Sequence, residues 1–176
     1  MHNTRQPLLF VGDSMIEFFN WQEAWPALQI INLGRAGETV TELQYRSTAI
    51  TERFADASLV LVMIGTNNIA MEDFGFGPAY ESILTAFGRS YPDAVIAANS
   101  ILPMSLPYLA PDTVPRMNER IREAAANHGA RFVDVHSRMV DENGIPLPGI
   151  LEDGVHITRK GYAIWVEALE PLLAEL

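Results

Sequence analysis

Short, wholly apolar runs alternate along this chain with longer stretches whose apolar positions recur every three or four residues. That alternation predicts strands and amphipathic helices in turn. Residues 7–11 (PLLFV) read as a strand closed by Gly12, and 29–33 as a second. The run 58–64 (SLVLVMI) is apolar at successive positions, as a central parallel strand covered on both faces requires. Residues 94–99 and 131–135 read as the remaining strands, with a Pro-rich loop over 100–111. Helices are predicted over 15–25, 39–54, 78–91, 115–128 and 158–173. The second repeats Val40, Leu43, Ile50 and Phe54 and opens with Thr39 and Glu42 at capping-box spacing. The fourth has Pro115 at its start and Gly129 just past its end. The last places Tyr162, Trp165, Val166, Leu169 and Leu173 on one side.

Five strands alternating with five helices predict an α/β chain: a three-layer α/β/α sandwich with a five-stranded parallel sheet and right-handed crossovers, flavodoxin-like in outline. No repeat or low-complexity linker interrupts it, so residues 1–176 are expected to form a single domain. Sheets of this kind bind ligands beyond the C-terminal ends of their strands. Chemistry-bearing residues should therefore follow strands.

Four polar clusters do. Gly12-Asp13-Ser14 follows the first strand, Asn32-Leu33-Gly34-Arg35-Ala36-Gly37 spans the end of the second, and Gly65-Thr66-Asn67-Asn68 follows the third. Asp153-Gly154-Val155-His156 lies beyond the fifth strand, before the last helix. Each has an ordinary structural reading. Ser14 with Glu17 has capping-box spacing, Gly34 and Gly37 suit turns, Asn67 and Asn68 suit a turn, Asp153-Gly154 is a turn pair, and His156 is a polar group ahead of a helix. Acyl transfer, however, needs a nucleophile, a base, a group that orients the base, and donors for an oxyanion. Ser14 can supply the first, His156 the second and Asp153 the third, while the N–H groups of Ser14 and Gly37 and the amide of Asn67 can converge as the donors. Glycine at 37 allows close approach of backbone to a ligand. The capping reading of Ser14 is compatible with this, because a helix N-terminus favours developing negative charge.

Composition narrows the alternatives. A net charge of −10 disfavours nucleic acid and an anionic membrane surface as partners. The absence of cysteine removes disulfides, thiolate catalysis and Cys-ligated zinc. No His-x-x-x-His or paired His/Asp spacing suggests a metal site, and no cofactor motif is present: Gly12-Asp13-Ser14 lacks the lysine of a phosphate loop. No apolar run reaches the roughly 18 residues of a membrane span, and residues 1–6 are polar, so a soluble, cytoplasmic protein is expected. A secreted form trimmed of its leader would read the same. His2 is terminal, His128 suits the last turn of a helix, and His136 is placed on a surface loop. Met63, Met71, Met104 and Met117 are read as packing residues.

The four clusters, in order, resemble the sequence blocks of the SGNH (GDSL-type) hydrolases, whose initials fall here on Ser14, Gly37, Asn67 and His156. The resemblance spans residues 10–162. Gly12-Asp13-Ser14-Met15, Asn32-x-Gly-x-x-Gly37-x-Thr39, Gly65-Thr66-Asn67-Asn68, and His156-Ile157-Thr158 followed by Gly161-Tyr162 are most similar to the platelet-activating-factor acetylhydrolase-like branch. Asn68 stands where many members carry Asp. The Gly-x-Ser-x-Gly elbow of the α/β-hydrolases is absent, since residues 12–16 read Gly-Asp-Ser-Met-Ile. The resemblance implies a serine esterase with Ser14, Asp153 and His156 as its triad and Ser14, Gly37 and Asn67 as its oxyanion hole. Asp134, Asp141 and Glu152 are other carboxylates that could orient the histidine, but only Asp153 has the family spacing to His156. A short-chain, acetyl-like ester is the expected small-molecule substrate, because few insertions interrupt the βα units and no obvious lid is present. A lysophospholipase or thioesterase of the same family, and a non-catalytic flavodoxin-like binding module, are the alternatives. Oligomeric state is open.

Overall fold

The computed structural model describes residues 6–176, so the reading of His2 lies outside the described residues. The strands are β1 (Leu8–Gly12), β2 (Ile30–Gly34), β3 (Leu59–Met63), β4 (Val95–Asn99) and β5 (Arg131–Val133). They form one sheet in the order β2-β1-β3-β4-β5, with every neighbouring pair parallel. The expected α/β architecture is therefore present.

Alternation along the strands decides which layer each side chain enters. Leu9, Val11, Val60, Val62, Ile96 and Ala98 face one cluster, completed by α3 (Val40–Arg53), α5 (Gly77–Ser90) and α6 (Thr113–Asn127). Leu8, Phe10, Leu59, Leu61, Met63 and Ala97 face the other, completed by α1 (Ser14–Glu17), α2 (Trp21–Ala24) and α7 (Arg159–Leu173). Two apolar clusters on opposite faces of one sheet make three layers. Each fully buried aliphatic or aromatic side chain contributes on the order of 1.5–3 kcal/mol of transfer free energy, so both faces have to be covered. Trp21 and Trp165, both buried, meet edge-on at 4.9 Å and carry α2 and α7 onto the same face of β1.

The helices follow local chemistry. At α3 the Thr39 side chain accepts from Glu42 N–H while the Glu42 carboxylate accepts from Thr39 N–H at 2.8 Å, the capping box read from the sequence. Its buried residues Val40, Leu43, Ser47 and Ile50 keep the helical period. Gly129, past the end of α6, has φ +67°, as a C-terminal glycine should.

Three expectations need correction. The helix over 15–25 is two short helices, because the Asn20 side chain accepts from Glu23 N–H and starts a second one. Residues after β3 are not simply a turn: Thr66–Ala70 forms a short helix, α4, entered through Gly65 at φ +120°. The strand over 131–135 stops at Val133, and His136–Arg138 is one turn of 3₁₀ helix. Among the methionines read as packing residues, Met63 and Met117 are buried but Met71 is exposed. Among the described residues no helix is long and apolar enough to cross a membrane.

Candidate active site

Ser14, Gly37 and Asn67 lie just past the ends of β1, β2 and β3, three adjacent strands. The 153–156 segment closes over them from the approach to α7. Ser14 opens α1, but it is not the helix cap. Asp13 is the N-cap, its Oδ1 accepting from Met15 N–H at 3.0 Å, and this corrects the capping-box reading of Ser14 and Glu17. With capping assigned one residue earlier, Ser14 Oγ is left to meet His156 Nε2 at 3.1 Å. Ser14 is almost wholly buried, whereas the His156 ring is open to one side.

Asp153 holds His156 from behind. Its Oδ2 lies 2.7 Å from His156 Nδ1, and its Oδ1 accepts the backbone N–H groups of Val155 at 3.0 Å and His156 at 2.7 Å. These bonds, led by that of the imidazole, hold the Asp153 carboxyl down to about 2, so it is ionised at working pH. A carboxylate on Nδ1 selects the tautomer that leaves Nε2 as acceptor toward the serine. Of the other carboxylates considered, Asp134 accepts from Ser137 N–H and Asp141 from Asn143 N–H, and the imidazole bond belongs to Asp153. The ring of exposed Phe18 lies 5.8 Å from that of His156, in a cleft of about 490 Å³ that also includes Asn20, Arg159 and Tyr162.

Gly37 lies in a tight turn. Arg35 N–H donates to Gly12 O at 2.8 Å, and Glu38 N–H donates to Arg35 O at 3.1 Å, which places Gly37 third in a four-residue turn at φ +78°. Glycine is favoured by that backbone conformation rather than by crowding, since a Cβ at 37 would touch nothing within 4 Å. Ala36 N–H is taken by the Glu17 carboxylate at 2.5 Å, tying the turn to α1. Among the described residues, the N–H groups of Ser14 and Gly37 have no protein acceptor. Asn67 Nδ2 donates to Glu38 O at 2.9 Å, which fixes which end of the amide faces the turn and leaves its second N–H to donate elsewhere. Asn68 is buried and points away: its Oδ1 accepts from Val40 N–H and its Nδ2 donates to Asp73.

Beneath Ser14, the Asp13 carboxyl is fully buried, and burial pushes it up to about 6 against the N–H of Met15 and the nearby Thr66. Gly12 is required by close packing, because a Cβ there would sit 1.9 Å from Met63 O on β3. The two histidines set aside stay apart from this constellation. His128 contacts Thr85 and Glu81. Half-buried His136 borders a separate cleft near Ser105 and Ile145, where burial lowers its basicity.

Sequence reasoning missed the supporting residues. In the sequence Asp13 has no evident task, Glu17 suits a cap it does not serve, and Glu38 and Arg46, which form an ion pair, belong to no motif. Their signal is three-dimensional: charged side chains that the fold buries or turns inward.

The sequence matches the GDSL-like Lipase/Acylhydrolase family over residues 10–164. It is 26% identical over 175 residues to the platelet-activating factor acetylhydrolase IB subunit alpha1 of Pongo abelii, covering 96% of this chain and 76% of that protein. In three dimensions it is similar to a GDSL-like lipase from Bacteroides thetaiotaomicron, with a TM-score of 0.82 at 24% identity over 97% of this chain and 88% of the other. An acetyl xylan esterase from Geobacillus stearothermophilus gives a TM-score of 0.72 at 20% identity, covering 94% and 93%. These two likenesses speak to fold; the family match, running from the middle of β1 into α7, speaks to descent, and by it the chain belongs to the GDSL-like (SGNH) lipase/acylhydrolase family.

Proposed function

We propose that this chain is a single hydrolase domain acting as a serine esterase on short-chain, acetyl-like carboxylic esters through an acyl-serine intermediate. The observation that carries the reading is the line Asp153 Oδ2 to His156 Nδ1 at 2.7 Å and His156 Nε2 to Ser14 Oγ at 3.1 Å. A binding module has no need of it. His156 Nε2 takes the hydroxyl proton as Ser14 Oγ attacks the ester carbonyl carbon, and Asp153 stabilises the imidazolium formed. The carbonyl oxygen becomes an oxyanion, met by Ser14 N–H, Gly37 N–H and the free N–H of Asn67. Collapse breaks the bond to the alcohol oxygen, which receives the proton from His156. Water, deprotonated by the same imidazole, then releases the acid and restores Ser14.

The acyl preference rests on the short connections around Ser14 and on the acetyl esters named for two similar proteins, an acetylhydrolase and an acetyl xylan esterase. A kcat/KM series over p-nitrophenyl acetate, butyrate and dodecanoate tests it. Acetate and butyrate should turn over fastest, and a steady rise with chain length rejects the short-acyl reading. Ser14→Ala should lose at least ~10⁴-fold in kcat and escape labelling by a serine-directed organophosphonate. Retained activity rejects the acyl-serine.

A further inference from the structure

Glu38 is a buried carboxylate one residue past Gly37, and no step above uses it. Its side chain is 0% exposed and its partner Arg46, on α3, is 14% exposed. The pairing is bidentate, with Arg46 Nε to Glu38 Oε1 at 2.6 Å and Arg46 Nη2 to Glu38 Oε2 at 2.5 Å. The same Nη2 donates to Leu33 O on β2 at 3.0 Å. One guanidinium therefore bridges the two ends of the Arg35–Glu38 turn, the strand that leads into it on one side and Glu38 on the other. At the backbone, Glu38 N–H closes the turn onto Arg35 O, and Glu38 O accepts from the Asn67 amide at 2.9 Å.

A buried ion pair is a poor device for stability alone. Desolvating both charges cancels much of their attraction, and well-packed apolar side chains of similar volume often do as well. What a bidentate guanidinium–carboxylate pair adds is orientation, since two parallel hydrogen bonds fix the plane and the distance together. Here that fixed group is joined through one residue to the Gly37 N–H and through a hydrogen bond to the Asn67 amide. Oxyanion donors are worth most when held in place before charge develops.

We propose that Glu38 and Arg46 are positioning residues that lock the Gly37 N–H and the Asn67 amide in register as oxyanion donors. Neither touches the substrate. The proposal rests on the acyl-serine reading above, and deepens it by naming what holds its donors still.

The test is a double-mutant cycle with p-nitrophenyl acetate, on variants shown to be folded by thermal melts. Arg46→Lys keeps the charge but loses the fork, and Glu38→Gln keeps the shape but loses the charge. Because breaking a buried pair destabilises, the joint replacement Glu38→Leu/Arg46→Met is the second route, removing the clamp without leaving a lone charge. Each should lower kcat ~10-fold or more with KM within about twofold and the form of the pH profile unchanged, and Arg46→Lys should retain more activity than the joint replacement. In an Asn67→Ala background the further loss should shrink to a few-fold, because one donor the clamp positions is already gone. Unchanged kcat in any folded clamp variant, a loss confined to KM, or a full loss repeated in the Asn67→Ala background overturns the proposal. Ser14→Ala separates the two failures: if it remains active, the acyl-serine reading falls, whereas an inactive Ser14→Ala with an additive cycle overturns the clamp alone.

Discussion

Asn68 Oδ1 accepts the backbone N–H of Val40 at 2.9 Å, tying α4 to the first turn of α3. Its neighbour Asn67 instead donates to Glu38 O, on the side of Ser14 and Gly37. Adjacent asparagines thus have separable tasks. Asn67→Ala should lower kcat by ~10²–10³, about 3–4 kcal/mol, with little change in KM and a near-normal melting temperature. Asn68→Ala removes a buried amide with two partners, so it should lower stability by about 1–3 kcal/mol and affect kcat much less. Steady-state kinetics beside thermal melts decide it, and a collapse of kcat in folded Asn68→Ala would reverse the assignment.

Asp13 makes stability depend on pH. Its carboxyl, pushed up to about 6 by burial, holds a proton more tightly in the folded chain than in the unfolded one. The stabilisation this gives is complete below about pH 4, the unfolded value, and is lost as pH rises through about 6. Asp13→Asn retains an acceptor for Met15 N–H and has no such proton to lose. Denaturant unfolding from pH 4 to 8 should show the variant gaining on the wild type by on the order of 3 kcal/mol across that window. Parallel curves would contradict it.

Asp153, held down to about 2, stays ionised through the range in which the enzyme is assayed. Its charge should therefore survive acidification to about pH 4, so log(kcat/KM) should fall with no more than unit slope above that pH. Asp153→Asn should lower kcat by ~10⁴ through the wrong tautomer. A limb of slope two above pH 4 would place a second essential carboxylate in the reaction.

Activity should survive chelation. The proposed proton transfers need no Lewis acid, and among the described residues no group of three His, Cys, Asp or Glu side chains is arranged to hold a metal ion. Full loss of p-nitrophenyl acetate hydrolysis in EDTA, restored by zinc, would falsify the metal-free scheme.

The central strands β1 and β3 were legible because their side chains are apolar without interruption, a pattern that burial on both faces imposes, whereas β2 carries Asn32 and β5 opens on exposed Arg131. Ser14, Gly37 and Asn67 stand out as candidates because each follows a strand, and Asp153 and His156 because their spacing matches a known block. The supports were hidden. Glu38 and Arg46 stand eight residues apart around a helix start, where charged residues ordinarily face water, and only the return of α3 over the end of β2 buries them together. Asp13 displaced Ser14 as cap for a reason no spacing reveals: both residues suit the position, and the tertiary contact with His156 chooses between them. The break at Asn20 likewise depends on its side chain preferring the Glu23 N–H to a continuous helix.

Ser14 follows the first strand of the sheet and His156 follows the last, 142 residues later in the chain. During synthesis Ser14 therefore leaves the ribosome before His156 has been made. On the proposed mechanism, a chain ended before residue 156 should be inert toward esters, however much of its sheet has formed.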